Sequence, residues 1–473
     1  MKRFLHLLLL AILVPVAASA ASWDGQTYRQ IEQSIQTPRL TDKVFLITKF
    51  GAKTDGTAAE NQKAIQKAID KCSKKGGGRV VVPAGCQFLT GAIRLKSGVN
   101  LEIQEGATLL FAFEPELYPI VETSWEGLDC YNISPCIYAF QATDIAITGK
   151  GTVDGGGSNE TWWPWCGAQH FGFKDGGISQ KKEARPRLLR SGEDGVPMKD
   201  EQGRWTEART FGPTDGLRPQ LVNFNQCERI LMEDVTLLRS PFWVIHPLKS
   251  TDITVRRVKM INDGPNGDGC DPESCDRVLI EDCFLRNYDD NISLKNYPAR
   301  SGISTSNITM ENCTLWADCA HNIVVGPESV ETLPMENVEF DGIEILEARE
   351  TAWPWRGAFA VMGSDDGTFR NVVFRDICID HTRGGQMFAV ELCPYRTMGR
   401  AVQNVSIENV RFFGDATQLP PSTIKGLDAD HPIDGIGLHN LRINGRRLTP
   451  KTLQQRVETN DFIRRLRVNK KTQ

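Results

Sequence analysis

The sequence has little of what marks proteins that bind nucleic acid, bind structural zinc or span membranes. Its 473 residues carry 55 Lys and Arg against 59 Asp and Glu, a formal net charge of −4, whereas a phosphate-backbone partner calls for a basic stripe. No CxxC pair or Cys/His cluster has zinc spacing. Beyond the N-terminal segment, no apolar run is long enough to cross a bilayer. We expect no nucleic-acid partner, no membrane span and no cofactor.

The first twenty residues, MKRFLHLLLLAILVPVAASA, have the layout of a secretory signal peptide. A basic tip precedes an apolar run from Leu7 to Val14, and small residues end at Ala20. A membrane anchor is the alternative, but the apolar run is short for a bilayer span. We therefore predict cleavage after Ala20, a secreted or periplasmic location, and a monomer whose residues 21–473 form one catalytic domain, since no interdomain linker is visible.

The thirteen cysteines form an odd set, so at least one lies outside any intramolecular disulfide. Several occupy positions where an apolar residue would serve, as in LIEDCFL and ITMENCTL. Because a buried thiol behaves as a small hydrophobic side chain, we predict packing in the core rather than a dense disulfide framework.

A helix followed by short, repeated strands predicts the fold. From Ala59 to Lys74, alanines and isoleucines recur with helical spacing on one face, and glycines follow. No further amphipathic helix is predicted before the tail. Seven later segments begin with a polar residue, an aliphatic anchor and an alternating run. Their anchors are 23 to 34 residues apart: Ile230, Ile253, Val278, Ile308, Val338, Val372 and Val405.

Such uniform units indicate a solenoid in which each short-stranded coil stacks on the next. We predict an all-β fold, a right-handed parallel β-helix whose N-terminal helix caps the end that would otherwise expose the core. Two segments interrupt the repeat, residues 123–136 and the polar stretch 166–215. Because insertions in a solenoid gather on one face, we expect both to close one end of the functional cleft.

Carboxylates concentrate in residues 266–296, a stretch with eight acidic residues. Asp268 and Asp290 are 22 residues apart, about one coil, so they can lie on neighbouring coils about 4.8 Å apart. Asp289 can share their cleft. Crowded carboxylates raise one another's pKa, which gives an acid beside a base, as hydrolysis of a glycosidic bond requires.

Two other interpretations of these acids stay open at this point. The acidic stretch is also consistent with a solvated turn, or with a calcium site built from several oxygen ligands. His321 follows about one coil later and Lys295 lies just beyond the aspartate pair. A protonatable ring above an acid pair would tune the acid, which favours a functional site.

Five motifs occur here in the order found in a known enzyme family. They are FGAKTDGTAAENQKAIQKAID, LRPQLVNF, SPFWVIHP, GPNGDGCDPESC and YDDNISLK, and together they extend the likeness from about Phe50 to Asp380. The chain resembles glycoside hydrolase family 28, the polygalacturonases and their relatives in the pectin lyase-like β-helix superfamily. The resemblance implies a right-handed parallel β-helix that hydrolyses pectic polysaccharides with inversion and without a metal.

The resemblance also implies roles for individual residues. Asp289 resembles the general acid, and Asp268 and Asp290 resemble the bases that hold the attacking water. His321 resembles the histidine that sets the protonation of the acid. Asn266 belongs to the same motif as Asp268, and we expect it to contact substrate.

This sequence departs from the family pattern in three places. The motif around Asp268 reads Asn-Gly-Asp, which keeps the acid, and Ala320-His321-Asn322 keeps only the ring of Gly-His-Gly. The Arg-Ile-Lys triplet that grips the galacturonate carboxylate should fall near residues 358–360, which read Ala-Phe-Ala.

The missing triplet leaves three other cations as candidates for the carboxylate contact. They are Lys295, Arg300 and Arg356. A weaker grip on the carboxylate would shift the substrate towards a less acidic pectic chain such as rhamnogalacturonan.

Three functions are therefore carried forward from the sequence. The first is an exo-acting, inverting hydrolase of α-linked pectic polysaccharide. The second is a calcium-dependent polysaccharide lyase on the same fold. The third is a carbohydrate-binding β-helix without turnover.

Overall fold

The computed structural model describes residues 22–23, 26–182, 184–190, 206, 209–296, 302–329, 333–349, 357–394 and 397–468. The predicted signal peptide and its cleavage site lie outside these ranges. No helix in them is long and apolar enough to cross a membrane.

Three stacks of mostly parallel strands form the body of the protein. In the described ranges, sheet 1 has thirteen strands: Val44–Leu46, Gly78–Val82, Val99–Ile103, Thr143–Thr148, Glu228–Glu233, Thr251–Arg256, Asp276–Glu281, Ser306–Glu311, Met335–Asp341, Thr368–Arg375, Ala401–Glu408, Ile433–His439 and Ile463–Val468. Sheet 2 comprises Gln87–Thr90, Thr108–Phe111, Thr152–Asp154, Thr236–Leu238, Lys259–Asn262, Phe284–Asn287, Thr314–Ala317, Glu344–Arg349, Cys378–Ile379, Thr382–Arg383, Arg411–Phe412, Arg442–Ile443 and Arg446–Arg447.

Sheet 3 is built in two parts. The first contains Ile93–Leu95, Ile137–Phe140, Val222–Asn225 and Ile245–Leu248; the second contains Ile292–Leu294, Ile323–Val325, Phe359–Gly363, Phe388–Leu392, Ser422–Lys425 and Val457–Thr459. Single bridges through Cys270 and Glu273 join the parts. Most coils contribute one strand to each sheet, and the chain is a right-handed parallel β-helix, as predicted.

The repeat seen in the sequence is the coil of this β-helix. The seven aliphatic anchors pair in register down sheet 1 and point into the core. The polar residue before each anchor has a positive φ, between 54° and 60°. Asparagine tolerates this conformation better than most residues, and Asn337, Asn371 and Asn404 each donate a side-chain hydrogen bond to the asparagine one coil before.

The predicted capping helix is confirmed over Ala58–Lys74. Thr57 and Glu60 form a capping box at its start, which satisfies backbone N–H groups that have no partner inside the helix. Its apolar face, including Ile65 and Ile69, is fully buried against the first coil. The other helices are Tyr28–Ser34, Ala184–Arg190 and Pro450–Leu453, with single 3₁₀ turns at Ile47–Phe50, Pro115–Leu117, Trp163–Cys166 and Gln169–Phe171.

The first insertion folds as an antiparallel hairpin, Ile120–Trp125 with Leu128–Ile133, which we call the wall hairpin. The second insertion contains Ala184–Arg190, a helix that the sequence did not predict. Ala184, Leu188 and Phe211 of this insertion pack with the wall hairpin. The cluster they form is separate from the main core and contains Trp125, Cys130, Ala184, Leu188, Phe211, Leu217, Phe242 and Trp243. A seven-residue helix carries too weak a periodicity to be recognised alone, and this packing stabilises it.

The cysteines follow the packing prediction. Cys270, Cys275, Cys283 and Cys313 are thiols buried in the main core. Burial raises the pKa of Cys270 and Cys275 well above the ordinary thiol value, which keeps them uncharged.

Candidate active site

Four residues from four successive coils form a column along one edge of sheet 3. Ile245, Cys270, Ile292 and Ile323 pair with one another from coil to coil, and each residue of the column lies two positions before one of them in the sequence. The column contains Trp243, Asp268, Asp290 and His321. Backbone hydrogen bonds from Gly269 N to Asp290 O at 2.9 Å and from Asn291 N to His321 O at 3.1 Å fix the alignment. The one-coil spacing of the two aspartates thus places them on adjacent coils.

Asp289, Asp290 and His321 are joined by direct contacts. The backbone N–H of His321 donates to Asp290 Oδ1 at 2.9 Å, and the ring Nδ1 lies 3.0 Å from the same oxygen. The N–H of Asp290 donates to Asp289 Oδ1 at 3.2 Å. Burial raises the pKa of Asp289 to about 7, and the charge of Asp290 adds to the rise, while Lys295 and His321 oppose it.

Asp268 lines the same cavity, and Asp271 is fully buried beside Lys295; we call these two carboxyls the acidic floor. Asp268 is 5% exposed, and its Oδ1 has no hydrogen-bond partner within the described residues. Burial raises its pKa well above the ordinary value, helped by the charges of Asp271 and Asp289. Burial also raises the pKa of Asp271 to about 7 against the opposing charge of Lys295. These carboxyls therefore keep their protons to a higher pH than exposed carboxyls do.

Lys295 neutralises this acidic floor from inside the protein. Its Nζ lies 3.2 Å from Asp271 Oδ2 and 3.6 Å from Glu328 Oε2, and it donates to Ser293 Oγ at 2.7 Å. It also lies 4.5 Å from the centre of the Trp243 ring. Burial alone would lower the pKa of Lys295, but the surrounding carboxylates raise it above its ordinary value. Lys295 lines the cavity, yet its ammonium group is occupied by protein groups, so a direct substrate contact stays a prediction.

Asn266 reaches the cavity beside a fully buried arginine. Arg218 Nη2 donates to Asn266 Oδ1 at 2.7 Å, and Arg218 also donates to Gln180 Oε1 at 3.1 Å and to Pro241 O at 3.0 Å. Burial lowers the pKa of Arg218 to about 10, against the opposing charges of nearby acids that include Glu126 and Asp268. The guanidinium therefore orients Asn266 and places positive charge beneath the acids.

The wall hairpin closes the cavity on the side of the earlier coils. Ser124 Oγ donates to both carboxylate oxygens of Glu273 at 3.1 Å, and His246 Nε2 lies 3.0 Å from Glu273 Oε2. Gln220 Nε2 donates to the Ser124 carbonyl at 2.9 Å. At the turn of the hairpin, Glu126 lines the same cavity as Asp268 and Asp289.

An asparagine chain explains the departure from Gly-His-Gly at His321. Asn287 Nδ2 donates to Asn291 Oδ1 at 2.7 Å, and Asn291 Nδ2 donates to Asn322 Oδ1 at 2.8 Å. Asn322 in turn donates to the carbonyl of Glu347 at 2.9 Å. Asn322 thus supports the backbone that carries His321 from within the coil stack.

The structure brings together Asn266, Asp268, Asp289, Asp290, Lys295 and His321, all of which line one cavity. Arg300 and Arg356, the other predicted substrate contacts, lie outside the described residues. Residues 358–360 continue sheet 3 one coil after His321, and all three side chains are buried. Within the described ranges, no three His, Cys, Asp or Glu side chains are arranged to hold a metal ion.

Among the residues of the cavity wall that sequence reasoning missed, three carry charge or a large aromatic ring: Trp243, Glu328 and Glu126. Trp243 is 25 residues before Asp268, so extending the column by one coil would have found it. Glu328 follows His321 by seven residues and Glu126 lies in the first insertion, and neither has a position in the repeat that could have indicated its place.

Comparison with known proteins identifies the family of the chain. The model of glycosyl hydrolases family 28 matches residues 199–445, more than half of the chain. The chain belongs to this family. The matched range contains every residue of the column and all of the residues predicted to be catalytic.

Individual relatives are similar over shorter stretches. A probable polygalacturonase of Vitis vinifera is 28% identical over 60% of this chain and 51% of its own length. An endo-polygalacturonase of Pectobacterium carotovorum is 24% identical over 62% of this chain and 63% of its own. The chain thus spans between half and two thirds of these relatives. A solved exopolygalacturonase from Thermotoga maritima is 25% identical with a TM-score of 0.67, covering 93% of this chain and 95% of that one.

Replacing Lys295 with methionine should destabilise the fold by about 3 kcal/mol near neutral pH, because it leaves Asp271 and Glu328 buried without their cation. Since Lys295 lowers the pKa of Asp271, its loss raises that pKa further above the unfolded value. Asp271 in the folded variant then keeps its proton at pH values where it is ionised in the unfolded chain, and this difference destabilises the fold more as the pH rises. The loss of stability relative to the wild type should therefore be larger at pH 8 than at pH 5. Urea unfolding at both pH values measures this.

The matched control is Lys425→Met, which removes an exposed ion pair with Glu458 at 3.0 Å. That change should alter the free energy of unfolding by less than about 1 kcal/mol at either pH. Equal effects of the two substitutions would contradict the role given to Lys295.

Proposed function

We propose that this protein is an inverting glycoside hydrolase that removes sugars from the ends of α-linked pectic chains. The observation that carries the proposal is the placement of Asp289, whose pKa is raised to about 7, in one cavity with the column residues Asp268 and Asp290. A carboxyl that keeps its proton near neutral pH suits the role of general acid.

In the proposed reaction, Asp289 donates its proton to the glycosidic oxygen as the bond to the anomeric carbon breaks. A water held between Asp268 and Asp290 attacks the opposite face of the sugar, and its proton passes to this aspartate pair. Inversion follows because the new bond forms opposite the departing oxygen. The chemistry needs one proton on the acid and one negative charge on the pair.

His321 supports both requirements. It holds Asp290 by two contacts to Oδ1, which leaves the other carboxylate oxygen for the water. Its charge also opposes the rise in the pKa of Asp289, so the acid does not become too weak to donate. This is the tuning role that the sequence comparison implied for His321.

The wall hairpin supports exo action. It crosses the outer face of sheet 3, where Tyr138 Oη donates to the Glu122 carbonyl at 2.6 Å and Thr123 Oγ1 donates to Asn223 Oδ1 at 3.2 Å. We therefore expect the hairpin to obstruct a polysaccharide that would continue past the column on this side, which supports the proposal of exo action. The names of the relatives do not distinguish endo from exo action, since both an endo- and an exo-acting enzyme are among them.

A second candidate substrate is a less acidic pectic chain, of the rhamnogalacturonan type. It is favoured by the cavity lining, in which Glu126 and Glu328 add to the three aspartates. Residues 358–360, where the family's cationic triplet is expected, are apolar and buried. The N-terminal segment supports action outside the cytoplasm, on extracellular or periplasmic polysaccharide.

Replacing Asp289 with asparagine should lower kcat by a factor of about 10² to 10⁴, because an amide cannot protonate the leaving oxygen. Release of reducing sugar from pectic substrates measures this, and proton NMR of the wild-type reaction should detect the β-anomer first. Asp263→Asn, at an exposed carboxylate on the preceding turn, is the matched control and should leave kcat unchanged. Unchanged release of reducing sugar by the Asp289 variant would overturn the assignment of the acid.

Exo action predicts a particular course of digestion. Early samples from a pectic polymer should contain mono- or disaccharides while the viscosity of the solution barely falls. Viscometry with size separation of the products follows both quantities in one digest. A rapid fall in viscosity together with mixed oligomers would show internal cleavage instead.

A further inference from the structure

We propose that Glu126 determines which sugar the cavity accepts at the chain end, by accepting hydrogen bonds from its hydroxyl groups and disfavouring a carboxylate there. This inference rests on the proposed function. Glu126 is the one acidic residue that the wall hairpin contributes to the cavity among the described residues.

The backbone holds Glu126 at the tip of the hairpin. Trp125 pairs with Leu128, so Glu126 and Gly127 alone make the turn, with φ of 45° and 71°. Two-residue turns with both φ values positive favour Asn-Gly or Asp-Gly, and glutamate is unfavourable at the first position. A costly residue at a turn that faces a cavity suggests a role for its side chain.

Contacts on both sides fix the position of this carboxylate. Arg185 Nε, in the helix of the second insertion, donates to Glu126 Oε2 at 2.8 Å. Behind the turn, the ring of Trp125 stacks on Phe242 at 5.0 Å, and Phe242 stacks on Trp243 at 4.9 Å. Glu126 is therefore 7% exposed and held in place before any ligand binds. A preorganised acceptor binds hydroxyl groups without a large loss of side-chain entropy.

The position of Glu126 relative to the column identifies the sugar that it meets. The attacked ring must lie over the water held by Asp268 and Asp290, and Asp268 is on the hairpin side of the column. The part of that ring away from Asp289 then faces the wall hairpin. Glu126 consequently meets the non-reducing end of the chain, where a pectic sugar presents hydroxyl groups and, in a uronate, a carboxylate.

Charge makes Glu126 selective. An ionised glutamate only accepts hydrogen bonds, so it matches hydroxyl donors and repels a second carboxylate. Lys295 lies across the cavity, but Asp271 and Glu328 already surround it. Arg185 pairs with Glu126 at 2.8 Å but is not among the residues that line the cavity. The charge that a terminal sugar meets at the hairpin tip is therefore that of the carboxylate, which favours a neutral sugar over a uronate.

The test uses two pectic oligosaccharides that differ only in carrying a neutral sugar or a uronate at the non-reducing end. In the Glu126→Gln variant, the ratio of kcat/KM for the neutral to the uronate substrate should fall about tenfold, since the amide keeps the shape and removes the charge. Glu122→Gln makes the same change on the same hairpin outside the cavity, and it should leave the ratio unchanged.

Two further variants separate recognition from a structural role. Arg185→Gln breaks the ion pair but keeps the carboxylate and its charge, so the ratio of kcat/KM for the neutral to the uronate substrate should stay the same or rise, and should not fall. If Arg185→Gln and Glu126→Gln changed the ratio equally, Glu126 would act only by holding the insertions. A ratio within twofold of the wild-type value in Glu126→Gln would also overturn the proposal.

Binding separates this proposal from the proposed function. The dissociation constants of both oligosaccharides are measured in the Asp289→Asn protein, with and without Glu126→Gln, so that turnover is not needed. A tenfold change in the ratio of dissociation constants supports the role of Glu126 even if wild-type protein releases no sugar, a result that would contradict the proposed function alone. No change in that ratio overturns the role of Glu126 even in an active hydrolase.

Discussion

Coil-to-coil register is the constraint on which the rest of this structure depends. Parallel pairing about 4.8 Å apart forces equivalent positions of successive coils into columns, and the column ending at His321 brings Asp268 and Asp290 into the cavity. The same rule produces the asparagine ladder at Asn337 and Asn371 and the buried chain from Asn287 to Asn322. A single-residue slip would turn the column away from the cavity and the anchors out of the core.

Register brings the acids together, and burial decides their charge. Asp268 and Asp289 line one cavity and Asp271 is fully buried beside Lys295, so the ionised forms of all three are disfavoured and their pKa values rise. Lys295 and Arg218 limit the rise from beneath, and neither is exposed enough to be neutralised by solvent counterions. The result is a group of carboxyls that retains protons near neutral pH without loss of the fold.

The repetitive part of this architecture was predictable because repetition leaves a trace in the sequence. Anchors such as Ile230 and Val405 revealed the coils, and the 22-residue separation of Asp268 and Asp290 placed them on neighbouring coils. Insertions have no such period. Glu126 and the helix Ala184–Arg190 therefore became visible only in the structure, where packing against Phe242 and Trp243 positions them. The sequence also indicated Lys295 as a candidate for the substrate carboxylate contact, but it carries no sign that Asp271 and Glu328 surround the ammonium group.

The most direct test of this account is the pH dependence of kcat/KM, which reports the ionisation of essential groups in the free enzyme. If burial in the cavity keeps Asp289 protonated, kcat/KM on a pectic oligosaccharide should stay high through mildly acidic pH and decline as the pH rises through about 7. A decline that begins near pH 4, the range of an ordinary exposed carboxyl, would contradict the claim that burial beside the column sets the pKa of the acid.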